Sequence, residues 1–229
     1  MSLAKPDTAL LFGAGFGTRM APLTLDRPKP LVEVAGRPLL DHALDILAEG
    51  GIEQIAINTH YLAEQIADHL ADRPVLISHE PEILDTGGGL KQALNLLESD
   101  PVLTLNTDAV WTGPNPVKTL LRHWDPDRME ALLLLVANEN ATGHRGKGDF
   151  LMDPEGRLTP GPGAVYTGLQ IIRTDRVSQH SQTAFSLWEI WREMLDRGTI
   201  FGALHKGGWC DVGRPDSIAL AEDLLRRHA

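Results

Sequence analysis

The chain has 229 residues, enough to bury a substantial core, and its 31 acidic and 21 basic side chains give a formal net charge of −10. This balance argues against general binding to nucleic acid or to an anionic membrane, because both need a basic face. A single cysteine excludes an internal disulfide framework and suits a reducing compartment, and no run approaches the roughly twenty apolar residues of a membrane span. We therefore expect a cytoplasmic protein with no nucleic-acid or membrane partner, and the oligomeric state stays open.

The first predicted element is a short buried strand at residues 9–12, which passes directly into a glycine-rich loop. The loop reads Gly13-Ala14-Gly15-Phe16-Gly17. Glycine permits positive φ and lets a ligand approach the main chain, so successive N–H groups can converge on an anion such as phosphate. The segment therefore predicts a phosphate-binding loop.

Two familiar glycine loops do not fit this segment. The dinucleotide pattern G-x-G-x-x-G fails because Thr18 or Met20 stands where the third glycine is needed. The P-loop pattern fails because Thr18 again replaces a glycine and no lysine follows it. These failures argue against a nicotinamide oxidoreductase and against a P-loop enzyme.

What remains is G-x-G-T-R-x-x-P-L-T over residues 15–24, followed by Pro28-Lys29-Pro30. These segments resemble the signature of the sugar-1-phosphate nucleotidylyltransferases, which join a nucleoside triphosphate to a sugar 1-phosphate and release pyrophosphate. A triphosphate needs backbone donors, a planar guanidinium and an ammonium, and Arg19 and Lys29 supply the last two. The flanking prolines restrict the backbone around Lys29, although a lysine in such a turn can also be an ordinary surface residue.

Strand and helix patterns alternate through the rest of the chain. Apolar spacing predicts helices around residues 40–47, 62–70, 93–97, 115–124, 184–197 and 218–225. Apolar runs predict strands at Gln54–Thr59, 75–78, 102–105, Ala131–Val136, Phe150–Met152, 166–168 and Ile200–Leu204. No linker or internal repeat divides the chain, so we expect one domain over residues 1–229.

The alternation indicates an α/β fold, and together with the resemblance it implies a Rossmann-like three-layer sandwich with a mixed, mainly parallel central sheet. Ligands of such sheets bind beyond the carboxyl ends of the strands. One segment at such a position is E-P-E-I-L-D-T-G-G-G, residues 80–89. Gly87, Gly88 and Gly89 precede a predicted helix, so their bare backbone either lies against a nucleoside or simply starts that helix.

Two aspartates also follow predicted strands. Asp108 comes after Asn106 and Thr107, and Asp211 lies in the late segment W-C-D-V-G. Carboxylates, water and phosphate oxygens are the ligands that Mg²⁺ prefers, although Asp is also a common turn residue. The resemblance implies that Asp108 and Asp211 bind the catalytic Mg²⁺. The chain departs from the family pattern at Thr107, usually Gly, where a β-branched residue could crowd the sugar, and at Arg214, where Thr is common.

The polar loop at residues 138–149 contains G-H-R-G-K-G-D. Its His144, Arg145 and Lys147 either receive the sugar phosphate or belong to a solvated loop. Trp188 and Trp191, three apart on a predicted helix, indicate core packing or a subunit contact. The resemblance implies a sugar-phosphate site made of Asn138, Gly148, Asp149, Thr167 and Gly168.

The segments D-T-G-G-G, N-T-D-A-V-W-T and G-H-R-G-K-G-D-F, with no E-K-P tripeptide, resemble most the uridylyltransferases that act on N-acetylmuramate α-1-phosphate in bacterial cell-wall recycling. The resemblance implies catalytic roles for Arg19, Lys29 and Asp108. It also implies a nucleotide site made of Gly13, Ala14, Gly15, Gly17, Thr18, Arg19, Lys29, Gly87, Gly88 and Asn106.

We therefore expect transfer of a nucleotidyl group from UTP to N-acetylmuramate 1-phosphate, by positioning and charge neutralisation. One alternative is a mannose- or glucose-1-phosphate nucleotidylyltransferase that uses GTP or another nucleotide. Another is a nucleotide sensor without catalysis. The residues themselves fix neither the base nor the sugar.

Overall fold

The computed structural model describes residues 5–228. Its strands are β1 (Thr8–Phe12), β2 (Glu33–Val34), β3 (Arg37–Pro38), β4 (Gln54–Thr59), β5 (Val75–His79), β6 (Val102–Asn106), β7 (Ala109–Trp111), β8 (Ala131–Val136), β9 (Ala141–Thr142), β10 (Phe150–Met152), β11 (Leu158–Pro160), β12 (Val165–Ile172), β13 (Ile200–Leu204) and β14 (Trp209–Asp211). Its α-helices are α1 (Leu39–Gly50), α2 (Ala63–His69), α3 (Asp85–Leu97), α4 (Pro116–His123), α5 (Asp175–Gln179), α6 (Leu187–Arg197) and α7 (Asp216–Arg226). Short 3₁₀ turns cover Thr18–Met20, Lys29–Leu31 and Asn138–Asn140.

A seven-stranded sheet in the order β13-β8-β12-β6-β1-β4-β5 forms the centre of the molecule. Strand β12 is antiparallel to both of its neighbours, and the remaining pairs are parallel. The sheet is therefore mixed and mainly parallel, which confirms the predicted fold class. Because β1, β4 and β6 run in the same direction, their carboxyl ends meet at one edge, and the residues that follow them are brought together there.

Helices cover both faces of this sheet. Every residue of β8 is buried, and its leucines alternate between two apolar clusters. Leu132 and Leu134 pack in the cluster that includes Leu44 of α1 and Leu120 of α4, whereas Leu133 packs with residues of α3 and α6. A strand that is apolar on both sides is typical of a sheet buried between two helical layers.

Local signals set the helix ends where the sequence indicated. Helix α1 ends at Gly51, whose φ of +83° suits glycine and whose N–H donates to the carbonyls of Leu47 and Ala48. Helix α4 begins after Asn115, whose side chain accepts the N–H of Lys118 at 3.0 Å, and Pro116 occupies its first turn.

Two sequence predictions about helices were wrong. The glycines at 87–89 do not precede α3 but lie within its first turns, since the helix begins at Asp85. The amphipathic pattern of residues 218–225 also predicts packing on the central sheet, but helix α7 packs on a small sheet of order β7-β14-β9, through a cluster that includes Ala221, Cys210 and Val212. An amphipathic helix shows in its sequence that one face is buried but not which surface covers it.

Strands of the central sheet come from residues 8 to 204, so the sheet joins both halves of the chain. One domain over residues 1–229 stays a prediction, because residues 1–4 and 229 lie outside the described part. Within residues 5–228 the longest helices are too short, or too polar, to cross a bilayer.

Candidate active site

A cavity of about 430 Å³ opens at the carboxyl edge of β1, β4 and β6. The glycine loop forms one wall, and residues 83–86 with Glu80 form another. Lys29, Asp108 and Gly213 lie together along the remaining side. The segments that the sequence singled out at the ends of separate strands therefore surround one space.

Two of the three glycines in the glycine loop, Gly15 and Gly17, differ in what their surroundings require. Gly17 has φ +63°, and a Cβ there would lie 3.0 Å from Cβ of Lys29, so both conformation and packing favour glycine. Gly15 lies outside the positive-φ region, and a Cβ there would meet no atom within 4 Å. Neither packing nor strain explains glycine at position 15, whereas close approach of a ligand to the exposed main chain does.

The Pro28-Lys29-Pro30 segment forms a 3₁₀ turn in which the N–H of Val32 donates to the carbonyl of Lys29 at 3.0 Å. This turn points the lysine at the cavity, where its Nζ lies 2.6 Å from Oδ2 of Asp108. Arg19 is exposed at the cavity wall, and no carboxylate among residues 5–228 pairs with it. Two cations therefore face the space in front of the glycine loop.

The two predicted metal ligands are brought together by the small sheet. Asp108 follows β6, and Asp211 at the end of β14 pairs in register with Ala109 of β7. The main chains are joined directly, since the N–H of Val212 donates to the carbonyl of Asp108 at 2.8 Å. Two acids 103 positions apart in the sequence thus meet beside Lys29.

The electrostatics of this pair suit a cation. Burial and the negative charge of Asp108 hold the pKa of Asp211 above its usual range, and the nearby charges of Lys29 and Arg19 only partly oppose this. A bound cation would relieve the same repulsion. Residues 5–228 contain no cluster of three or more His, Cys, Asp or Glu side chains arranged to hold a metal. A pair of carboxylates that leaves other positions to water and phosphate is the kind of site that Mg²⁺ uses.

Thr107 lies between Asn106 and Asp108 and lines the cavity with them, while its hydroxyl is held by the main chain of β1. Its hydroxyl donates to the carbonyl of Phe12 at 2.8 Å, and the residue is only 3% exposed. The hydrogen bond joins the end of β6 to the end of β1. The β-branched residue therefore fixes the loop that carries Asp108.

Sequence reasoning missed a buried polar bridge across the cavity wall. Oδ1 of Asn58 accepts the N–H of Gly13 at 2.7 Å, and its Nδ2 donates to Oε1 of Glu80 at 2.7 Å. Oε2 of Glu80 accepts the N–H of Leu84 at 3.1 Å. Both side chains line the cavity and are almost fully buried. The bridge joins the glycine loop to the segment that leads into α3.

A signal for this bridge was present in the sequence. Asn58 directly follows the apolar run at residues 55–57 near the end of β4, and Glu80 follows the next strand directly. Buried amides and carboxylates need partners, so their positions near strand ends indicate a shared network.

Gly87 and Gly88 have a structural role in the packing of α3, and their binding of a nucleotide stays a prediction. Their N–H groups donate to the carbonyl of Phe185 at 2.9 and 3.1 Å. A Cβ at Gly87 would lie 2.4 Å from the Phe185 ring, and one at Gly88 would lie 2.2 Å from the carbonyl oxygen of Thr183. The part of this segment that lines the cavity is instead Ile83, Asp85 and Thr86.

The residues predicted for the sugar phosphate gather around the start of β12. Asn138 donates through Nδ2 to the carbonyl of Gly163 at 2.6 Å, and Oδ2 of Asp149 accepts the N–H of Tyr166 at 2.8 Å. Gly168 has φ +82°, and a Cβ there would lie 2.7 Å from the side chain of Asn106, so this strand approaches the main cavity closely.

Two further members of that group have structural partners. The hydroxyl of Thr167 donates to the carbonyl of Leu134 at 2.7 Å and is buried, so its side chain faces the core. Gly148 has φ +91° and lies against Gly163, which explains glycine there by packing.

Two consecutive residues of the 138–149 loop, His144 and Arg145, contact different parts of the molecule. His144 lies close enough to Asp211 to oppose, in part, the rise in the pKa of that carboxyl. Nε2 of His144 is buried, with no protein hydrogen-bond partner among residues 5–228. Arg145 instead pairs with Asp216 at 2.6 Å on the surface. His144 therefore lies beside the carboxylates, whereas Arg145 has its own acidic partner.

Both the sequence and the fold have counterparts among known proteins. A model of the nucleotidyl transferase family matches residues 8–144, more than half of the chain. The chain is 36% identical over 238 residues to an N-acetylmuramate α-1-phosphate uridylyltransferase of Caulobacter vibrioides, covering 96% of this chain and 97% of that one. It is 34% identical to an N-acetylmuramate α-1-phosphate uridylyltransferase of Neisseria meningitidis serogroup B, covering 94% and 97%.

Among solved structures, the inositol-1-phosphate CTP transferase of T. maritima superposes with a TM-score of 0.79 at 15% identity, covering 98% of this chain and 97% of that one. That likeness concerns the fold. The family match and the two relatives identify the protein more closely, and they confirm the resemblance that the glycine loop indicated. The chain therefore belongs to the nucleotidyl transferase family and is an enzyme of sugar-1-phosphate nucleotidyl transfer.

Proposed function

We propose that the enzyme transfers a uridylyl group from UTP to N-acetylmuramate α-1-phosphate and releases pyrophosphate, with Mg²⁺ as its cofactor. The observation that carries the proposal is the meeting of Asp108, Asp211 and Lys29 in front of the glycine loop. The choice of base and sugar follows the two uridylyltransferase relatives, which match nearly the whole chain. We also propose that it acts in the cytoplasm in cell-wall recycling, as one domain, without nucleic-acid or membrane partners.

In this proposal the triphosphate lies along the glycine loop. The main chain at residues 14–18 supplies N–H donors, and the exposed backbone at Gly15 permits close approach. Arg19 can hold two phosphate oxygens with its planar guanidinium, and Lys29 can add a point charge. The bridge through Asn58 keeps the N–H of Gly13 occupied, so it fixes the loop's shape and leaves phosphate binding to later N–H groups.

Asp108 and Asp211 would hold Mg²⁺ between them. Lys29 neutralises one oxygen of Asp108, while the raised pKa of Asp211, due to burial and to Asp108, indicates negative charge that the protein does not fully compensate. When bound, the ion neutralises phosphate charge and stabilises the charge that develops on the leaving pyrophosphate.

The reaction itself needs little from the protein beyond position. An oxygen of the sugar 1-phosphate attacks the α-phosphorus in line, and the bond from that phosphorus to the bridging oxygen of the β-phosphate breaks. Phosphate oxygens are anionic at neutral pH, so no general base is required. Arg19 and Lys29 offset the repulsion between the two anions and hold the leaving group, which is catalysis by orientation and electrostatics.

On the acceptor side we propose that Asn138, Gly148, Asp149, Thr167 and Gly168 shape the sugar-phosphate site. Asn138 and Asp149 hold the 163–166 segment by hydrogen bonds, and Gly168 brings β12 against Asn106. Thr167 contributes through its main chain, because its hydroxyl is bonded to Leu134.

The test is pyrophosphate release measured over four nucleoside triphosphates crossed with a panel of sugar 1-phosphates that includes the N-acetylmuramate compound. We expect the highest kcat/KM for UTP with that sugar, and no release when Mg²⁺ is chelated. A preference for GTP with mannose 1-phosphate would contradict the base and sugar assignment. Tight UTP binding without release on any sugar would contradict catalysis and indicate a sensor.

A further inference from the structure

A second cavity, of about 470 Å³, lies beside the first and has an aromatic wall. Phe150, Trp188 and Trp191 form this wall with Tyr166, and Asp149 supplies a carboxylate. Trp188 is 41% exposed, so part of its indole ring is accessible from the cavity that it lines.

The aromatic rings hold one another in edge-to-face contacts. The ring centroids of Trp191 lie 5.1 Å from Tyr166, 6.1 Å from Trp188 and 6.2 Å from Phe150. The indole N–H of Trp191 donates to Oε1 of Gln170 at 3.0 Å, a bond buried in the core. The wall is therefore fixed before any ligand arrives.

The carboxylate at the edge of this wall is also held in place. Oδ2 of Asp149 accepts the N–H of Tyr166 at 2.8 Å, which fixes the group and leaves its other oxygen able to accept a further hydrogen bond. A ligand group that combines an N–H donor with a small apolar end would meet both features at once.

Contacts on two sides show that the two cavities are neighbours. Thr86 lines the first cavity, and its hydroxyl oxygen accepts the N–H of Leu187 at 3.0 Å. Trp188, the next residue, lines the second cavity. On the other side, Gly168 packs against Asn106 of the first cavity, two residues after Tyr166 of the second.

We infer that the second cavity binds an N-acyl substituent of the sugar 1-phosphate, with the acyl methyl group against Trp188 and Phe150 and the amide N–H donated to Asp149. This inference rests on the proposed function and deepens it. A sugar hydroxyl can also donate to Asp149, but it leaves the aromatic wall exposed to water. An anionic substituent would be repelled by Asp149, so the acyl amide is the group that fits both parts of the cavity.

The test compares N-acetylglucosamine 1-phosphate with glucose 1-phosphate, two acceptors that differ at the acylated position. We expect Trp188→Ala to lower kcat/KM for the N-acetylated sugar about tenfold while changing the value for glucose 1-phosphate less than about twofold. Asp149→Asn, which replaces the carboxylate acceptor, should also lower kcat/KM for the N-acetylated sugar. Leu151→Ala is the matched control, because Leu151 is a neighbouring exposed apolar residue on β10 and does not line the cavity. Equal losses on both sugars, or none, would overturn the inference.

A binding measurement separates this inference from the proposed function. Titration of the wild-type enzyme with N-acetylglucosamine 1-phosphate should change tryptophan fluorescence, and Trp188→Phe should remove most of that change. Glucose 1-phosphate should give little change in either protein. An enzyme that releases no pyrophosphate but still shows this difference would disprove the proposed reaction and support the cavity assignment, whereas equal signals from both sugars would disprove the cavity assignment.

Discussion

At the carboxyl edge of the parallel strands, Asp108 and Asp211 lie on neighbouring segments, and Lys29 pairs with Asp108. At the opposite edge, Glu130 precedes β8 and receives hydrogen bonds from Arg176 Nε at 3.1 Å, from Arg197 at 2.6 Å and from the hydroxyl of Thr199. The carboxyl edge of the sheet thus holds two carboxylates whose negative charge is only partly balanced by nearby cations. The opposite edge surrounds one carboxylate with hydrogen-bond donors.

The pKa directions follow the same division. Burial alone would raise the pKa of Glu130, but hydrogen bonds from Thr199, Arg197 and Arg176 outweigh burial and hold it below its usual value. Burial and Asp108 raise the pKa of Asp211. A carboxylate whose pKa is lowered by protein donors stabilises the fold, whereas one whose pKa is raised by a like charge costs stability and is kept for a ligand.

The largest expected effect comes from Asp108→Asn, which removes one acid of the uncompensated pair. Turnover should fall by about a hundredfold or more, because that carboxylate would hold the cation that neutralises the phosphates. Unfolding in urea should stay cooperative at a similar midpoint, since the loss of the Lys29 partner is offset by relief of Asp211. Asp153→Asn, an exposed aspartate outside both cavities, is the control and should leave kcat unchanged. A wild-type rate for Asp108→Asn at saturating Mg²⁺ would disprove the metal assignment.

Glu80→Gln tests a carboxylate that combines the features of the two edges. It lines the cavity, as Asp108 does, but it accepts hydrogen bonds from protein donors, as Glu130 does. Asn58 Nδ2 and the Leu84 N–H both donate to Glu80, so an amide would present its NH₂ group to one of them. We expect KM for the triphosphate to rise about tenfold with a smaller change in kcat, together with a loss of about 1–3 kcal/mol in unfolding free energy.

The matched control for that variant is Glu82→Gln, because Glu82 is an exposed glutamate two residues away. It should leave both KM and stability unchanged. If Glu80→Gln left KM unchanged while lowering stability, the bridge would support the fold without positioning the glycine loop.

Glu130→Gln should show the opposite profile from Asp108→Asn. The unfolding free energy at pH 7 should fall by about 2 kcal/mol, because charge-assisted hydrogen bonds from two arginines are weakened, and kcat and KM should stay unchanged. Glu193→Gln removes only an exposed partner of Arg176 and should cost much less. Loss of activity in folded Glu130→Gln would show that the two edges are not independent.

The smallest effects are those of pH. The folded pKa of Glu130 lies below its ordinary value of 4.5, so its stabilisation is complete above that value and is lost as the pH falls through the folded pKa. The stability difference between wild type and Glu130→Gln should therefore shrink in acid. Urea midpoints measured from pH 7 to pH 3 check this sign.

Asp211→Asn should change stability in the other direction. The folded pKa of Asp211 lies above 3.8, so the protonated form is favoured in the fold and ionisation costs stability as the pH rises. At pH 7 in the absence of metal the variant should melt about 1–3 °C higher than wild type. The difference in melting temperature should disappear when the pH falls below the ordinary pKa of aspartate. A lower melting temperature for the variant would show that nearby protein groups stabilise the negative charge of Asp211, which would contradict this prediction.

The sequence was most informative where structure depends on neighbours along the chain. The bounds of Gln54–Thr59, Ala131–Val136 and Ile200–Leu204 matched the prediction because apolar runs between polar flanks are local signals. The glycine loop and the lysine between prolines were visible for the same reason, and a match at so many fixed positions indicated the family.

Contacts between distant segments were not visible. Asn58 and Glu80 lie on different strands, and only the sheet order makes their side chains meet. The packing requirement for glycine at positions 87 and 88 was not visible either, because it comes from Phe185 and Thr183, about a hundred residues later. Sequence pattern and spacing indicate which contacts a residue type can make. Which of these contacts forms depends on the residues that the fold brings next to it from other parts of the chain.

By itself the sequence determined the family, the alternation of strands and helices, and the types of residue that we propose to bind phosphate and metal, since each depends on the chemistry of short segments. Only the tertiary structure decided that Asp108 and Asp211 share one site, that α7 packs on the small sheet, and that Trp188 lines a cavity rather than the core. The physical reason is that burial and electrostatic coupling depend on distances in space, which the sheet order and the antiparallel strand β12 set.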